Sequence, residues 1–157
     1  MVESRARLLI WERHGQWSRA WHGTSGAIAW HVHQVRGAVE VEPLLESARA
    51  SFLAMECDAI NWESRCDAAL KWTRDYGQVR FAILACPDLI PMEPWFREIG
   101  AVDVAWDLRD LGRLTRLACR HLARYRPADL NPVQRCLERW GWLPEFRPDY
   151  ERTEHGS

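Results

Sequence analysis

The sequence predicts an α/β fold built on a parallel five-stranded sheet, and three observations carry that reading. Five short apolar segments of strand length alternate with five helix-like segments between Ala6 and Tyr125. The connections are short, and such alternation favours parallel strands joined by right-handed crossovers. One segment, Val79 to Cys86, is a near-continuous apolar run, as expected of a strand buried on both faces.

Each element has its own local reason. Ala6 to Glu12 is apolar and suits a buried strand. Gln16 to His22 places Trp17, Ala20 and Trp21 on one side of a short helix, which the run Gly23-Thr24-Ser25-Gly26 breaks. Ile28 to Arg36 is β-rich, and strand periodicity puts His31 and His33 on one face. Glu42 to Arg49 reads as a short helix with Pro43 early, where a missing N–H costs little. Ser51 to Glu56 is the third strand. Asn61 is placed to cap a helix running to Tyr76, in which Trp62, Cys66, Ala69, Thr73 and Tyr76 recur at helical spacing. Gly77 ends that helix, and the apolar run from Val79 follows. Pro91 and Pro94 introduce a short helix bearing Trp95, Phe96 and Ile99, stopped by Gly100. Ala101 to Trp106 is the fifth strand. Asp107 and Asp110 resemble a capped helix start, and that helix extends to about Tyr125.

Composition narrows the class. The 157 residues fit one domain able to bury a sizeable core. The 21 basic and 22 acidic residues leave a net charge of -1, which argues against bulk nucleic-acid affinity but not against a local basic patch. Five widely spaced cysteines with no CxxC pattern read as reduced thiols, neither a zinc site nor a disulfide framework. The polar start Met1 to Arg5 is unlike a signal peptide, and no apolar stretch is long enough to cross a bilayer. A cytoplasmic protein without membrane contact is the expectation. The domain is expected to span 1–126, with a 127–157 extension in which Asn131-Pro132 opens a short helix. Trp140 and Trp142 would dock that extension, and the end beyond Pro148 would be frayed.

The stretch Arg97-Glu98-Ile99-Gly100-Ala101-Val102-Asp103-Val104 looks like the fourth helix, glycine-alanine turn and fifth strand of a response-regulator receiver domain. Residues 6 to about 124 resemble that CheY-like family in element order and lengths. The resemblance implies a doubly wound, flavodoxin-like sheet of order 2-1-3-4-5, with its site at the carboxyl ends of the strands. It also implies which residues should carry chemistry, and here the match fails. The family's metal-holding acidic pair falls on Glu12 and Arg13, and its phosphoacceptor aspartate on Glu56. Its hydroxyl residue falls on Ala85 or Cys86, and its lysine near Asp107 or Leu108. Phosphoryl transfer depends on positioning and charge neutralisation, so losing these groups removes most of the means for it. The resemblance thus implies a degenerate pseudo-receiver in which Glu56 is a fixed charge, paired with Arg13, or merely a strand-end carboxylate beside solvent.

Glu12, Glu56 and Asp58 offer oxygen ligands for a hard cation such as magnesium, but Arg13 in the same crevice opposes one. His31 and His33, with His14 or His22, match no zinc spacing. Cys86 has no histidine placed near it by sequence to activate a thiolate. Arg109, Arg113, Arg116, Arg120 and Arg124 form one stripe along the last helix, opposite Leu111, Leu114, Ala118, Leu122 and Tyr125. That stripe is either a solvated face or a surface for an acidic partner. The expected function is therefore a non-catalytic protein-interaction or regulatory module with no cofactor and no metal. Its partner would be a protein meeting the arginine stripe or Trp140 and Trp142. A metal-dependent enzyme or phosphoacceptor at Glu12 and Glu56 is the alternative, and a nucleic-acid binder using the stripe is a further one.

Overall fold

A computed structural model of the chain describes residues 6–24 and 32–125. Five strands form one parallel sheet: β1 (Arg7–Trp11), β2 (Val32–Val35), β3 (Ser51–Cys57), β4 (Val79–Ala85) and β5 (Val104–Ala105). Their order is β2-β1-β3-β4-β5, the doubly wound order that the resemblance implied. Five helices connect and follow them: α1 (Gln16–His22), α2 (Ala38–Glu46), α3 (Trp62–Asp75), α4 (Glu93–Glu98) and α5 (Leu111–Ala123). Two 3₁₀ turns, Pro87–Met92 and Leu108–Asp110, lead into α4 and α5.

The sheet is sandwiched because its strands are apolar on both sides. Leu9, Trp11, Leu53, Met55, Phe81 and Ile83 point to one face and pack with Val41 and Leu45 of α2, Cys66, Ala69 and Trp72 of α3, and Phe96 of α4. Leu8, Ile10, Phe52, Ala54, Ala82 and Leu84 point to the other and meet Trp17 and Trp21 of α1 and Leu111, Leu114, Ala118 and Leu122 of α5. The alternation follows from strand geometry. Each fully buried Leu, Ile or Phe contributes roughly 1.5–3 kcal/mol.

Helix α2 and strand β5 differ in extent from the sequence expectation, and α3 differs in its cap. Helix α2 starts at Ala38, four residues before Glu42, because the extended Gly37 (φ -141°, ψ 156°) acts as its N-cap. Pro43 then lies in the second turn, where it removes a helical hydrogen bond from the Val39 carbonyl. Val39 is 87% exposed, so water is available in its place. Asn61 sits at the N-cap of α3, but its side chain accepts from the Asp58 amide (2.9 Å) and not from the helix. The buried face of α3 runs through Arg65, Cys66, Ala69 and Trp72, leaving Thr73 and Tyr76 only partly covered. Strand β5 shrinks to two residues, since the Ala101 amide bonds back to Phe96 at the end of α4. The capped start at Asp107 and Asp110 forms as the spacing predicts, with both reciprocal bonds present. Only Val32–Val35 of the expected second strand is described; His31, the 127–157 extension, Trp140 and Trp142 lie outside the described residues.

Candidate functional site at the strand ends

Adjacency of β1 and β3 brings Glu12 and Glu56 to neighbouring strand ends, but the two carboxylates face different tasks. Glu12 is fully buried. Its Oε2 accepts from the Trp17 amide and its Oε1 from the Ser18 amide, both at 2.8 Å. Those amides belong to the first turn of α1, which has no local side-chain cap. An uncapped helix start leaves orphan N–H groups, and a carboxylate there also meets the positive end of the helix dipole. Glu12 is thus a cap supplied from the strand. Gly15, before the helix, holds φ 77°, a left-handed conformation that favours glycine.

Glu56 is half-buried, and its Oε2 accepts from the Arg13 backbone amide at 2.8 Å. The expected Arg13–Glu56 charge pairing is replaced by this main-chain contact. The Arg13 side chain is exposed and makes no ion pair with Glu56 among the described residues. Asp58 is committed to its own loop through one oxygen. Its Oδ1 accepts from the Ile60 and Asn61 amides, each at 2.9 Å, and so closes the loop into α3.

The dominant cation here is one that sequence reasoning passed over. Arg65, in the first turn of α3, is 6% exposed. Its Nη1 donates to the carbonyls of Trp11 (2.8 Å) and Glu56, and its guanidinium carbon lies 4.5 Å from the centre of the Trp11 ring. It therefore ties the carboxyl ends of β1 and β3 to α3. Burial pushes its pKa below the usual arginine range, opposed by nearby Cys57, Glu56 and Asp58 and aided by Arg13. A signal was present in the sequence: Arg65 stands four and seven residues before Ala69 and Trp72, a charge on the apolar face of the helix.

The chemistry this arrangement permits is narrow. A hard divalent cation needs free carboxylate oxygens. Both oxygens of Glu12 are engaged by amides, and a guanidinium is bound to the carbonyls of Trp11 and Glu56 at the same strand ends. Among the described residues no cluster of three or more histidines, cysteines or acids is arranged to hold a metal. At the end of β4, Cys86 is partly exposed and caps the 3₁₀ turn, its amide donating to the Cys57 carbonyl (3.1 Å). Cys57 and Cys66 are buried against each other, and their hydrogen bond, with burial, pushes the Cys57 thiol far above its ordinary range. Such thiols are poor nucleophiles. Asp107, where a receiver's lysine would be sought, is the cap of the turn into α5, its side chain accepting from the Arg109 amide at 2.5 Å.

The arginine stripe of α5 divides in two. Arg113 donates to the buried Asp103 carboxylate and to the Val104 carbonyl (3.1 Å), and lies 3.6 Å from Asp110. Arg97 joins the same group through Asp103 (3.4 Å) and Glu93 (2.8 Å). Arg113 is thus a strut between α5 and β5 as well as a surface residue. Arg109 stands 3.9 Å from Asp107 and is 94% exposed. Arg116, Arg120 and Arg124 are exposed and have no acidic partner among the described residues. His33 is partly exposed on the edge strand β2. Among the described residues the exposed large apolar side chains are Val39, Ile60, Ile90 and Leu108, and every one follows the carboxyl end of a strand. In a parallel sheet those ends share one edge, so apolar side chains rim the same edge that holds Arg65.

Comparison with known proteins adds the fold and stops there. No family model matches the sequence, and no curated protein matches it. Among solved structures the chain is similar to a CheY-like protein, TadZ, from Pseudomonas aeruginosa, with a TM-score of 0.56 and 18% identity. The match covers 81% of this chain and 98% of that one. The fold is CheY-like and flavodoxin-like, with helices on both sides of the sheet. No helix among the described residues is long and apolar enough to cross a membrane.

Proposed function

We propose that this chain is a non-catalytic interaction module of pseudo-receiver type, in which the strand-end crevice holds a fixed ion arrangement and not a phosphorylation switch. The observation that carries the reading is the Arg65 guanidinium bound to the Trp11 and Glu56 carbonyls, while both Glu12 oxygens are bonded to α1 amides. A phosphoryl group attached at Glu56 needs metal or lysine charge to neutralise it in the transition state. Both oxygens of Glu12 are engaged by α1 amides, and Arg65, the buried cation at this edge among the described residues, is already bound to carbonyls.

The same edge supports a protein partner. Ile60, Ile90 and Leu108 are exposed around it, and exposed apolar side chains in one neighbourhood mark contact surfaces. A partner there would meet a rigid rim, because Arg65 ties β1 and β3 to α3 whatever the state of the cell. The reading is of a constitutive module, not a switched one.

Incubation with acetyl phosphate and magnesium tests it, with intact mass as the readout. The expected result is an unchanged mass over a time in which a phosphorylatable receiver gains one phosphoryl group. A phosphoryl adduct mapped to Glu56 would establish the alternative, a phosphoacceptor using this crevice.

A further inference from the structure

At the opposite edge of the sheet lies a feature that the crevice does not use. Phe52 and Arg80 are the second residues of β3 and β4 and face each other in register. The alternation of β4 turns Arg80 toward the side covered by α5. There the carboxyl half of α5 passes over the strand starts, leaving a surface pocket of about 130 Å³. Its floor is apolar, made by the buried Phe52 with the half-buried Val102 and Leu117. Its rim is cationic: Arg80 from the strand, Arg120 and Arg124 from the helix.

Among the described residues the charges at this rim have no ion-pair partner. Arg97, Arg109 and Arg113 each have a carboxylate within ion-pair distance, but Arg80, Arg120 and Arg124 have none among the described residues. Arg80 only folds onto the carbonyl of Val79 (2.9 Å). His121, also in the wall, is nearly buried, with Nε2 on the Gln78 carbonyl at 3.0 Å. Burial pushes its pKa down, and the charges that act on it, Arg80 and Arg124, push the same way. The carbonyls at the end of α5 answer part of the charge on Arg120 and Arg124. Arg80 comes from a different element and has no such reason to be there. Three arginines from two elements line one pocket, and guanidiniums offer forked donors suited to an oxyanion.

The geometry points to this pocket as a binding site for a phosphate monoester, with the phosphate held by Arg80, Arg120 and Arg124 and the esterified group resting on Phe52, Val102 and Leu117. The site lies at the other end of the molecule from Glu56 and stands independently of the crevice reading. Phosphate is favoured over a carboxylate because a dianion with three acceptor oxygens can engage all three arginines together. The apolar floor gives an organic ester an advantage over the free ion.

Titration of the full chain with inorganic phosphate and with phenyl phosphate, at constant ionic strength and read by calorimetry, tests the assignment. Saturable binding of phenyl phosphate is expected, weakened at least tenfold by Arg80→Ala and by Arg120→Ala. Arg116→Ala, an exposed arginine outside the pocket, should leave it unchanged. Tighter binding of phenyl phosphate than of inorganic phosphate supports an esterified ligand. Equal binding of the two, lost in both pocket variants, keeps the oxyanion site and removes the ester. No saturable binding of either, or an equal loss in Arg116→Ala, overturns the proposal. Circular dichroism of the variants separates loss of the site from loss of the fold.

Discussion

Replacing Arg65 by methionine is the sharpest perturbation of the strand-end edge. The guanidinium makes two hydrogen bonds to main-chain carbonyls and stands over the Trp11 ring. Bonds from a charged donor contribute about 1.5–3 kcal/mol each, and a cation over an aromatic face adds about 0.5–2 kcal/mol. Against these stands the cost of desolvating the guanidinium, which is several kcal/mol. Methionine recovers that cost and packs on Trp11, but it leaves both carbonyls short of a donor. Each such carbonyl costs about 1–3 kcal/mol. The balance is a loss of about 2–4 kcal/mol, a large share of the roughly 5–15 kcal/mol that holds a domain together. Urea unfolding followed by circular dichroism reads it directly. With a denaturant slope of about 1.5 kcal/mol/M, the midpoint should fall by about 1–3 M. Arg65→Lys should fall between, since an ammonium keeps the charge but not the planar stack. A methionine variant as stable as the wild type, or more stable, would refute the argument. It would mean that burying the charge costs more than its bonds return.

Glu12→Gln leaves one acceptor oxygen where two are used, so one amide of α1 loses its bond; the expected cost is about 1–3 kcal/mol by denaturant titration, and Glu56→Gln, which touches a single amide at a half-buried site, should cost less. His121 is held neutral in the fold below its ordinary pKa of 6.5, so the unfolded chain takes up a proton that the folded chain does not. Its contribution is present above that pH and is lost as pH falls through and below it. His121→Gln should therefore flatten the decline of stability between about pH 7.5 and 5, measured by urea midpoints at each pH. An unchanged slope would place the titrating group elsewhere.

Parts of the site were legible in sequence and parts were not. The position of Glu12 and Glu56 at neighbouring strand ends followed from the resemblance. So did the failure of Cys86 and Asp107 to match the hydroxyl and lysine of the family; the structure makes the Asp107 side chain a cap and puts Cys86 at a helix start with no side-chain cap bond. The acid at Glu12 was placed correctly but its occupation was not visible, because nothing local to Glu12 shows that its oxygens meet the amides of α1. Arg113 was read with its stripe as a surface residue, and only the fold brings Asp103 under it.

By itself the sequence determined what depends on neighbours a few residues apart. Apolar period, the glycine at Gly100 with φ 101°, and the Asp107–Asp110 box set the elements and their order, because their causes act within one turn or one strand. The tertiary structure alone decided the electrostatics. Arg65 reaches a carbonyl 54 residues away, Arg13 and Glu56 meet across 43, and the arginine pocket joins β4 to a helix that begins some thirty residues later. Charges act through space and through burial, neither of which has a period along the chain. Which arginine is a strut, which a plug and which a free cation was settled only when the sheet closed between its helices.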